Sequence, residues 1–473
     1  MFGKTLRVHF VGIGGSGMNG IAELLANLGH IVSGSDLHKT EVTDRLLRHG
    51  ITVFEGHSAG NVGGADVVVR SSAVPCDNPE LLEAERRGIP VIARAEMLAE
   101  LMRLRYGIAV AGSHGKTTTT SMIAFVLESA GLDPTAVIGG RLSAFGGHAR
   151  LGRGDCMVVE ADESDRSFLK LSPAIAVITN VDEEHLENYG SFDKLQEAFV
   201  EFANKVPFYG AVVAVVDDPV LGRLVGRMKR RVITCGIDSP GAHYAAEPSD
   251  AQDAWKIVAR RPARSDASGR RNETALGDLS LSVPGRHNVL NALATVAVCL
   301  DLGVPFDRIA GALSSFQGAE RRFQRLGEED GVLVVDDYGH HPTEIAAVVR
   351  TARSTLQRPL VVVFQPHRYT RTAQLMDRFG EALSGADEIV LTDIYPAGEP
   401  PIPGVTVERL RSAIERTVGR QVKLIGSFED LPRAVARLCR RGDAVITLGA
   451  GSIGRVGPRI LQALREAGAG GER

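Results

Sequence analysis

Short apolar runs alternate with amphipathic stretches along the first 104 residues of the chain. The apolar runs are rich in β-branched residues and predict strands at Arg7–Val11, Ile31–Gly34, Ile51–Phe54, Ala65–Arg70 and Val91–Ala93. Apolar residues at helical spacing predict helices that run up to Leu28 and cover Val42–Arg48 and Pro79–Arg87. This alternation indicates an α/β fold with a mostly parallel sheet and helices on both of its faces.

A glycine-rich turn follows the first predicted strand. Residues 12–17 have the pattern G-x-G-x-x-G, and Asp36 ends the second strand about 20 residues further on, as in a dinucleotide-binding βαβ unit. The pattern requires only a diphosphate at the start of a helix and a sugar hydroxyl beside the acid. A nicotinamide cofactor and a UDP-sugar therefore satisfy it equally well.

The residues from 107 to 131 carry the strongest functional pattern. An apolar strand ends in Gly112-Ser113-His114-Gly115-Lys116, and apolar residues then recur at helical spacing. Glycines allow close approach of the backbone to a phosphate, and the N–H groups at the start of a helix point at it. Lys116 is expected to meet the outer phosphates and Thr117 to ligate Mg²⁺. The alternative is a helix capped by threonines, with an ordinary surface lysine.

Two further strands of the central part end in acidic segments. Cys156–Val159 precedes Glu160, and Ala174–Ile178 precedes the segment that ends at His185. Carboxylates at the carboxyl ends of strands beside a phosphate cradle hold the metal of a nucleoside-triphosphate site. We therefore select Glu160 and His185 as candidate ligands of Mg²⁺ or Mn²⁺, and interpret the other acids as solvated loop residues.

The rest of the central part contains fewer chemical signals. Residues 262–278 are polar and basic without interleaved aromatic residues, which indicates a solvated connection between strands rather than a nucleic-acid surface. A helix that opens at Pro284–His287 carries Asn288 and Asn291 on one face, and these amides could read a base edge or cap the helix.

The last part, from residue 320, continues the alternation of strands and helices. The strand at Val332–Val335 leads into a segment with His340, and the strand at Leu360–Phe364 leads into one with His367, Arg368 and Arg371. Clustered histidines and arginines at successive strand ends indicate a site. A second G-x-G-x-x-G follows the final strand at residues 449–454.

Composition narrows the class of protein. A length of 473 residues suggests three domains, and a net charge of −3 gives no general attraction to nucleic acid or membranes. Five cysteines are scattered singly, which is typical of a reducing compartment and argues against a zinc site. The sequence shows neither a signal peptide nor an apolar run of about 20 residues that could span a bilayer. We therefore expect a cytoplasmic protein.

Several motifs together resemble those of the Mur ligase family. They are HFVGIGGSGMNGIAE, AGSHGKTTTT, VVEADESDRSFL, TNVDEEHLENY, GRHNVLNALA, ERRF, VDDYGHHPTE and FQPHRYTRT. The resemblance covers essentially the whole chain. It implies a Rossmann-like domain for the UDP-sugar at residues 1–104, a central P-loop ATPase at 105–319 and a C-terminal Rossmann-like domain at 320–473.

The resemblance also implies an activity. An enzyme of this kind joins L-alanine to the lactyl carboxylate of UDP-N-acetylmuramate through an acyl phosphate, with ATP and Mg²⁺, in peptidoglycan precursor synthesis. Matching positions assign catalytic roles to Lys116, Glu160, His185 and His340, and metal ligation to Thr117, Glu160 and His185. They assign ATP binding to Gly112, Ser113, His114, Gly115, Lys116, Thr117, Thr118, Asn288, Asn291, Arg322 and Asp337. They assign substrate binding to Gly12, Gly14, Gly15, Ser16, Gly17, Asp36, Ser71, Ser72, His340, Arg368 and Arg371.

Three alternatives stay open on the sequence. A nicotinamide oxidoreductase would use both glycine turns but leaves Lys116 and Glu160 without a role. A related ligase that attaches a preformed tripeptide to the same sugar would share nearly every motif. A non-catalytic nucleotide-binding regulator would not need the histidines and arginines of the last part. The sequence does not indicate an oligomeric state.

Overall fold

The computed structural model describes residues 4–15, 17–71, 73–142, 147–249, 254–260 and 273–469. The chain forms two compact units, one of Met1–Ser282 with Asn288–Gln317 and the other of Val283–His287 with Gly318–Arg473. The first unit holds two sheets and the second unit holds one. All three are mostly parallel and alternate with helices, which confirms the α/β prediction. Within the described ranges, no helix is long and apolar enough to cross a membrane.

The first sheet has five parallel strands in the order β3-β2-β1-β4-β5. Its strands are β1 (Arg7–Val11), β2 (Ile31–Asp36), β3 (Thr52–Glu55), β4 (Val67–Arg70) and β5 (Val91–Ala93). Its helices are α1 (Met18–Asn27), α2 (Glu41–Arg48), α3 (Pro79–Arg86) and α4 (Arg94–Met102). From β1 the chain adds β2 and β3 on one side of the sheet and then β4 and β5 on the other. The position where the strand order reverses is the switch point at which open α/β sheets bind ligands.

The second sheet has ten strands in the order β15-β14-β13-β12-β11-β10-β6-β9-β7-β8. Its strands are β6 (Tyr106–Ala111), β7 (Thr135–Leu142), β8 (Gly147–Arg150), β9 (Cys156–Glu160), β10 (Ile175–Ile178), β11 (Ala211–Val215), β12 (Val232–Gly236), β13 (Tyr244–Pro248), β14 (Ala254–Arg260) and β15 (Glu273–Ser280). Its helices are α5 (Lys116–Ser129), α6 (Leu186–Tyr189), α7 (Phe192–Asn204), α8 (Pro219–Leu224), α9 (Arg286–Asp301) and α10 (Phe306–Ser315). β6 lies between β10 and β9, so that three strand ends meet at one edge.

One apolar core is shared by the first two sheets. It includes Phe10 and Leu25 from the first sheet and its helices, and Val159 and Phe199 from the second. All four side chains are fully buried. Continuous burial of this kind makes the two sheets of the first unit a single folded body rather than two independent ones.

The third sheet has the order β16-β17-β21-β18-β19-β20, with only β16 antiparallel. Its strands are β16 (Gln324–Glu329), β17 (Val332–Asp337), β18 (Leu360–Phe364), β19 (Glu388–Leu391), β20 (Lys423–Leu424) and β21 (Ala444–Leu448). Its helices are α11 (Pro342–Leu356), α12 (Tyr369–Leu375), α13 (Arg378–Leu383), α14 (Val407–Val418), α15 (Leu431–Leu438) and α16 (Val456–Ala469).

One interpretation of the sequence is wrong in part. Residues 262–278 were expected to form a connection, yet Glu273–Asp278 belongs to β15, which pairs antiparallel with β14. β15 forms the edge of the sheet and leaves most of its side chains exposed, so its sequence is polar and lacks the apolar alternation of a half-buried strand. Residues 262–272 lie outside the described residues.

Candidate active site

The predicted phosphate-binding loop, residues 112–118, links β6 to α5, and we call this loop the cradle. Gly112 and Gly115 have φ angles of 136° and 82°, which side chains other than glycine rarely adopt. A Cβ atom at Gly112 would lie 2.0 Å from the Thr179 hydroxyl, and one at Gly115 would lie 2.7 Å from Oδ1 of Asn291. Both positions therefore require glycine for conformation and for space.

The loop after β10 holds the cradle from one side. The backbone N–H of His114 donates to Oδ1 of Asn180 at 2.8 Å, and the Thr179 hydroxyl donates to the His114 carbonyl at 2.6 Å. The His114 ring lies 3.0 Å from the Asp182 carboxylate. Sequence reasoning missed Thr179, Asn180 and Asp182. The position of their loop at the end of the strand next to β6 is the signal that could have identified them.

The side chain of Lys116 contacts the backbone of the phosphate-binding loop and the carboxylate of Glu163. Its ammonium donates to the carbonyls of Gly112 at 2.6 Å and Ser113 at 3.1 Å, and lies 2.8 Å from Glu163. Burial lowers the pKa of Lys116, but the charges of Glu163, Asp162 and Glu160 outweigh it and raise the pKa above its ordinary value. Lys116 is therefore a fixed cation at the start of α5.

Glu163 corrects one interpretation of the sequence. The acids around Glu160 were expected to be solvated loop residues, but Glu163 is only 2% exposed. It follows β9 closely and faces Lys116. Burial raises the pKa of Glu163 to about 8, against the opposing effect of the Lys116 charge. The side chain of Asp162 is 41% exposed, so the solvated interpretation fits that residue better.

Thr117 and Glu160 meet at the start of α5. The Thr117 hydroxyl lies 3.0 and 3.1 Å from the two oxygens of Glu160, and the Gly139 N–H donates to Glu160 at 2.8 Å. A hydroxyl and a carboxylate are the hard oxygen ligands that Mg²⁺ prefers. The two residues fit a metal site between them.

His185 lies at the end of the same edge, with a left-handed φ of 56°. Its ring, Glu163 and Glu184 present ligand atoms that all lie within 4.8 Å of one another. Sequence reasoning chose His185 for its position after β10, but it did not anticipate Glu163 and Glu184 as its neighbours.

The predicted amides lie against the cradle. Asn288 and Asn291 are both buried on α9, and Asn291 donates to Asn288 at 3.3 Å. Oδ1 of Asn291 approaches Gly115, and Thr118 is buried in the first turn of α5. α9 starts at Arg286, so both amides lie in its first two turns. The structure therefore brings both amides to the start of α9, beside the loop at Gly115.

The first glycine turn is held by the end of β2. The N–H groups of Gly12 and Ile13 donate to the Ser35 carbonyl at 2.9 and 3.0 Å, and Gly14 donates to Asp36 at 2.8 Å. Ser71 follows β4 and lies beside Gly12. Gly15 and Gly17 complete the turn before α1, while Ser16 and Ser72 lie outside the described residues.

Arg94 joins the first turn to the central sheet. A Cβ atom at Gly17 would lie 2.8 Å from its guanidinium, which also lies 3.7 Å from the Asp162 carboxylate. Sequence reasoning missed Arg94, the first residue of α4, because that helix was not predicted.

In the second unit, Asp337 and Arg322 lie near the end of β17. Asp337 is buried and accepts the N–H groups of Phe323 and Gly339, both at 2.7 Å. Burial raises the pKa of Asp337 to about 6, against the opposing effect of the nearby Arg322 charge. The Arg322 guanidinium lies over the Tyr338 ring, with 5.2 Å to its centroid.

Two histidines of the second unit, His340 and His367, form a stack with Tyr395. The rings of His340 and His367 meet edge to face, 5.5 Å between centroids, and His367 stacks on Tyr395. Burial lowers the pKa of His367 to about 3, with further lowering by His340, Arg371 and Arg368. Nη1 of Arg371 lies 3.4 Å from Nδ1 of His367, which accepts its N–H in the neutral ring.

Arg368 has a strained backbone at the start of α12. Its φ angle is 68°, a left-handed value that residues other than glycine rarely adopt. Its N–H donates to the Tyr395 carbonyl at 2.8 Å. Strain of this kind is concentrated at functional sites and persists because the surrounding contacts hold it. The structure thus places His340, Arg368 and Arg371 around His367, the residue that the sequence selection left out.

Models of the Mur ligase family match most of the chain. The family's catalytic domain matches residues 7–106, its middle domain residues 110–299 and its glutamate ligase domain residues 321–451. A UDP-N-acetylmuramate–L-alanine ligase of Geotalea daltonii is 51% identical, over 99% of this chain and 100% of the relative. One of Anaeromyxobacter dehalogenans is 52% identical, over 98% of both chains. The crystal structure of a UDP-N-acetylmuramate–alanine ligase from Thermotoga maritima is 30% identical with a TM-score of 0.79, over 98% of this chain and 100% of that one.

Proposed function

This chain belongs to the Mur ligase family, and we propose that it joins L-alanine to UDP-N-acetylmuramate with ATP, as a step of peptidoglycan precursor synthesis. The observation that carries the proposal is the cradle around Lys116, with Thr117 and Glu160 beside it. A nicotinamide oxidoreductase has no use for this arrangement. The full-length relatives named for L-alanine addition favour alanine over a tripeptide as the second substrate.

The central sheet activates the carboxylate in this proposal. The lactyl carboxylate of UDP-N-acetylmuramate attacks the γ-phosphorus of ATP, the bond to the β-phosphate oxygen breaks, and an acyl phosphate and ADP form. Lys116 stabilises the negative charge that spreads over the transferred phosphoryl group. Asn288 and Asn291 hold the nucleotide from α9, and the N–H groups of Gly112–Thr118 surround its phosphates.

Thr117, Glu160 and His185 would hold Mg²⁺, or Mn²⁺. A bound divalent ion would supply positive charge that stabilises the negative charge of the transferred phosphoryl group. The 3.0 Å approach of Thr117 to Glu160 supports two of these ligands, and the Gly139 N–H keeps the Glu160 carboxylate in place. Imidazole is a less usual ligand of Mg²⁺ than oxygen, so His185 would complete the set beside the two oxygen ligands.

The first sheet would bind the UDP-sugar, with its diphosphate on the turn at Gly12–Gly17 and a sugar hydroxyl at Asp36.

The second unit would bind ATP through Arg322 and Asp337, and alanine through His340, Arg368 and Arg371. The two arginines suit the alanine carboxylate. The amine of alanine then attacks the acyl carbon, and the bond from that carbon to the phosphate oxygen breaks. The proton that the nitrogen loses passes to the departing phosphate, and the amide remains.

The roles of the three sheets correspond to proposed domains at residues 1–104, 105–319 and 320–473. We also propose a cytoplasmic location, since the described cysteines are all free and their single, scattered positions fit a reducing compartment.

ADP release tests the function directly. The full chain is incubated with ATP, UDP-N-acetylmuramate and one amine: L-alanine, glycine, L-serine or the tripeptide of the related ligase. ADP and phosphate should form with L-alanine and only when the UDP-sugar is present. Release with the tripeptide alone would assign the related activity, and NAD reduction without ADP release would restore an oxidoreductase.

A further inference from the structure

A carboxylate is buried beneath the first glycine turn. Glu80, the second residue of α3, is fully buried. Its Oε2 accepts the Ser35 hydroxyl at 2.5 Å, and its Oε1 accepts the Asn61 amide at 2.6 Å and the Ser58 N–H at 3.2 Å. One side chain thus contacts the end of β2 and the segment that follows β3.

Two histidines complete the surroundings of Glu80. The ring of His9, which is buried on β1, lies 3.4 Å from its carboxylate, and the ring of His57 lies 3.6 Å from it. Burial raises the pKa of Glu80, but hydrogen bonds from His9, Ser35 and Asn61 outweigh burial and lower it to about 2. Glu80 is therefore ionised at neutral pH. A buried ionised carboxylate needs all of these donors.

Ser35 connects this carboxylate to the glycine turn. While its hydroxyl donates to Glu80, its carbonyl accepts the N–H groups of both Gly12 and Ile13. The next residue, Asp36, accepts the N–H of Gly14. The turn therefore rests on two consecutive residues of β2, and Glu80 fixes the first of them.

We propose that Glu80 is a positioning residue for the UDP-sugar: it holds Ser35, and through the Ser35 carbonyl it fixes the turn in the conformation that receives the diphosphate. The proposal rests on the function proposed above for the first sheet. Glu80 itself is too deeply buried to touch substrate. The competing explanation is a purely structural one, in which Glu80 stabilises the sheet and has no particular effect on the turn.

The test separates these explanations by comparing Michaelis constants for the three substrates in the full chain. Glu80→Gln keeps the size of the side chain but replaces one acceptor oxygen by an NH₂ donor. Either the Ser35 hydroxyl, or the Asn61 amide together with the Ser58 N–H, then loses its acceptor. We expect the KM for UDP-N-acetylmuramate to rise roughly tenfold to a hundredfold, as for the loss of one hydrogen bond to a charged group. The KM values for ATP and L-alanine should stay at wild-type levels.

Asp66→Asn is the matched control. Asp66 accepts the N–H of Arg7 at 2.7 Å, at the opposite end of β1 from the turn. It should leave all three KM values unchanged. If Glu80→Gln lowers the thermal midpoint without changing the KM for the UDP-sugar, or raises all three KM values together, the positioning role is overturned.

Ser35→Ala keeps the proposal testable if Glu80→Gln does not fold. It removes the hydroxyl, which donates to Glu80 and also lies 3.0 Å from Nδ1 of His57, and leaves the carbonyl that holds the turn. Its KM for the UDP-sugar should rise in the same direction. In the double variant the two effects should not add, because both remove the same link; additive effects would overturn the link through Ser35.

Asp36→Asn distinguishes failure of this inference from failure of the proposed function. Asp36 accepts the N–H of Gly14 directly, so this variant should raise the KM for the UDP-sugar even if Glu80 has no effect on the turn. If Asp36→Asn raises that KM and Glu80→Gln does not, the positioning role alone is overturned. If neither does, the binding of the UDP-sugar to the first turn is overturned as well.

Discussion

The ammonium of Lys116 and the carboxylate of Glu163 lie 2.8 Å apart, with 15% and 2% of their side chains exposed. The same ammonium donates to two carbonyls of the cradle. Two roles of Lys116 can therefore be separated. In the proposed function it offers positive charge to a phosphate, and in the folded chain it pairs with the buried carboxylate of Glu163.

Lys116→Met should abolish ligase activity and also destabilise the protein. The charge that develops in the transition state loses its partner, so kcat should fall. Burial already raises the pKa of Glu163 to about 8, so without Lys116 the side chain should be protonated. The loss of its hydrogen-bond partner should then cost about 1–3 kcal/mol. Adding Glu163→Gln should restore much of the thermal stability but none of the activity. ADP release and calorimetric midpoints measure the two effects. A double variant as unstable as the single one would show that the ion pair does not support the fold.

If the proposed metal site is correct, variants of its ligands should need more Mg²⁺ for activity. Glu160→Gln and His185→Ala each remove a proposed ligand, so the Mg²⁺ concentration for half-maximal activity should rise by at least about tenfold. Mn²⁺ binding in the presence of ATP, followed by electron paramagnetic resonance, should weaken in parallel. Asp193→Asn, on the exposed start of α7, is the control and should match wild type. Overlapping titration curves for all the variants would remove Glu160 and His185 from the site.

The first turn should bind a UDP-sugar and not a nicotinamide cofactor. Because the first two sheets share one core, the measurement requires the full chain rather than residues 1–104. Calorimetry should show heat with UDP-N-acetylmuramate and none with NAD or NADP. Gly17→Ala should weaken that binding, since Gly17 has a φ of 79° and a Cβ atom there would meet the Arg94 guanidinium. Binding of NAD that Gly17→Ala abolishes would reverse the assignment.

Much of the fold follows from local pattern. The strand Leu360–Phe364 has the bounds that its apolar run predicts, because a parallel strand buried on both faces is apolar throughout. Glycines mark the turns after β1 and β6 because their φ angles exclude most other residues. The polar strand β15 was missed, since its position at the edge of the sheet leaves no apolar alternation to read.

The site was less predictable where it depends on distant pairs. Lys116 and Glu163 are 47 positions apart, and His114 and Asp182 are 68 apart. Nothing in the local sequence distinguishes the buried Glu163 from the more exposed Asp162 beside it, because burial is decided by which residue faces α5 in the folded chain. Likewise, the segment around Glu80 reads as an ordinary amphipathic helix, and only its tertiary contacts connect it to the first turn.

The neutral ring of His367 predicts a loss of stability in acid. Its pKa in the folded chain, about 3, is below its ordinary value of 6.5, so as the pH falls the unfolded chain binds the proton first. The contribution of His367 to stability is therefore complete above pH 6.5 and is lost as the pH falls from 6.5 toward about 3. Within that window, one such group lowers the free energy of unfolding by up to about 1.4 kcal/mol per pH unit.

His367→Gln removes this titration and should reduce the dependence of the thermal midpoint on pH between 6.5 and 4.5. Tyr395→Phe keeps an aromatic ring stacked on His367 and is the matched control, which should retain the wild-type slope. The other three residues that lower the pKa of His367, namely His340, Arg368 and Arg371, are present in both variants. Scanning calorimetry of the full chain at four pH values gives the three slopes. Equal slopes for wild type and His367→Gln would mean that His367 takes up its proton in the folded chain as readily as in the unfolded one, and that the stack does not hold it neutral.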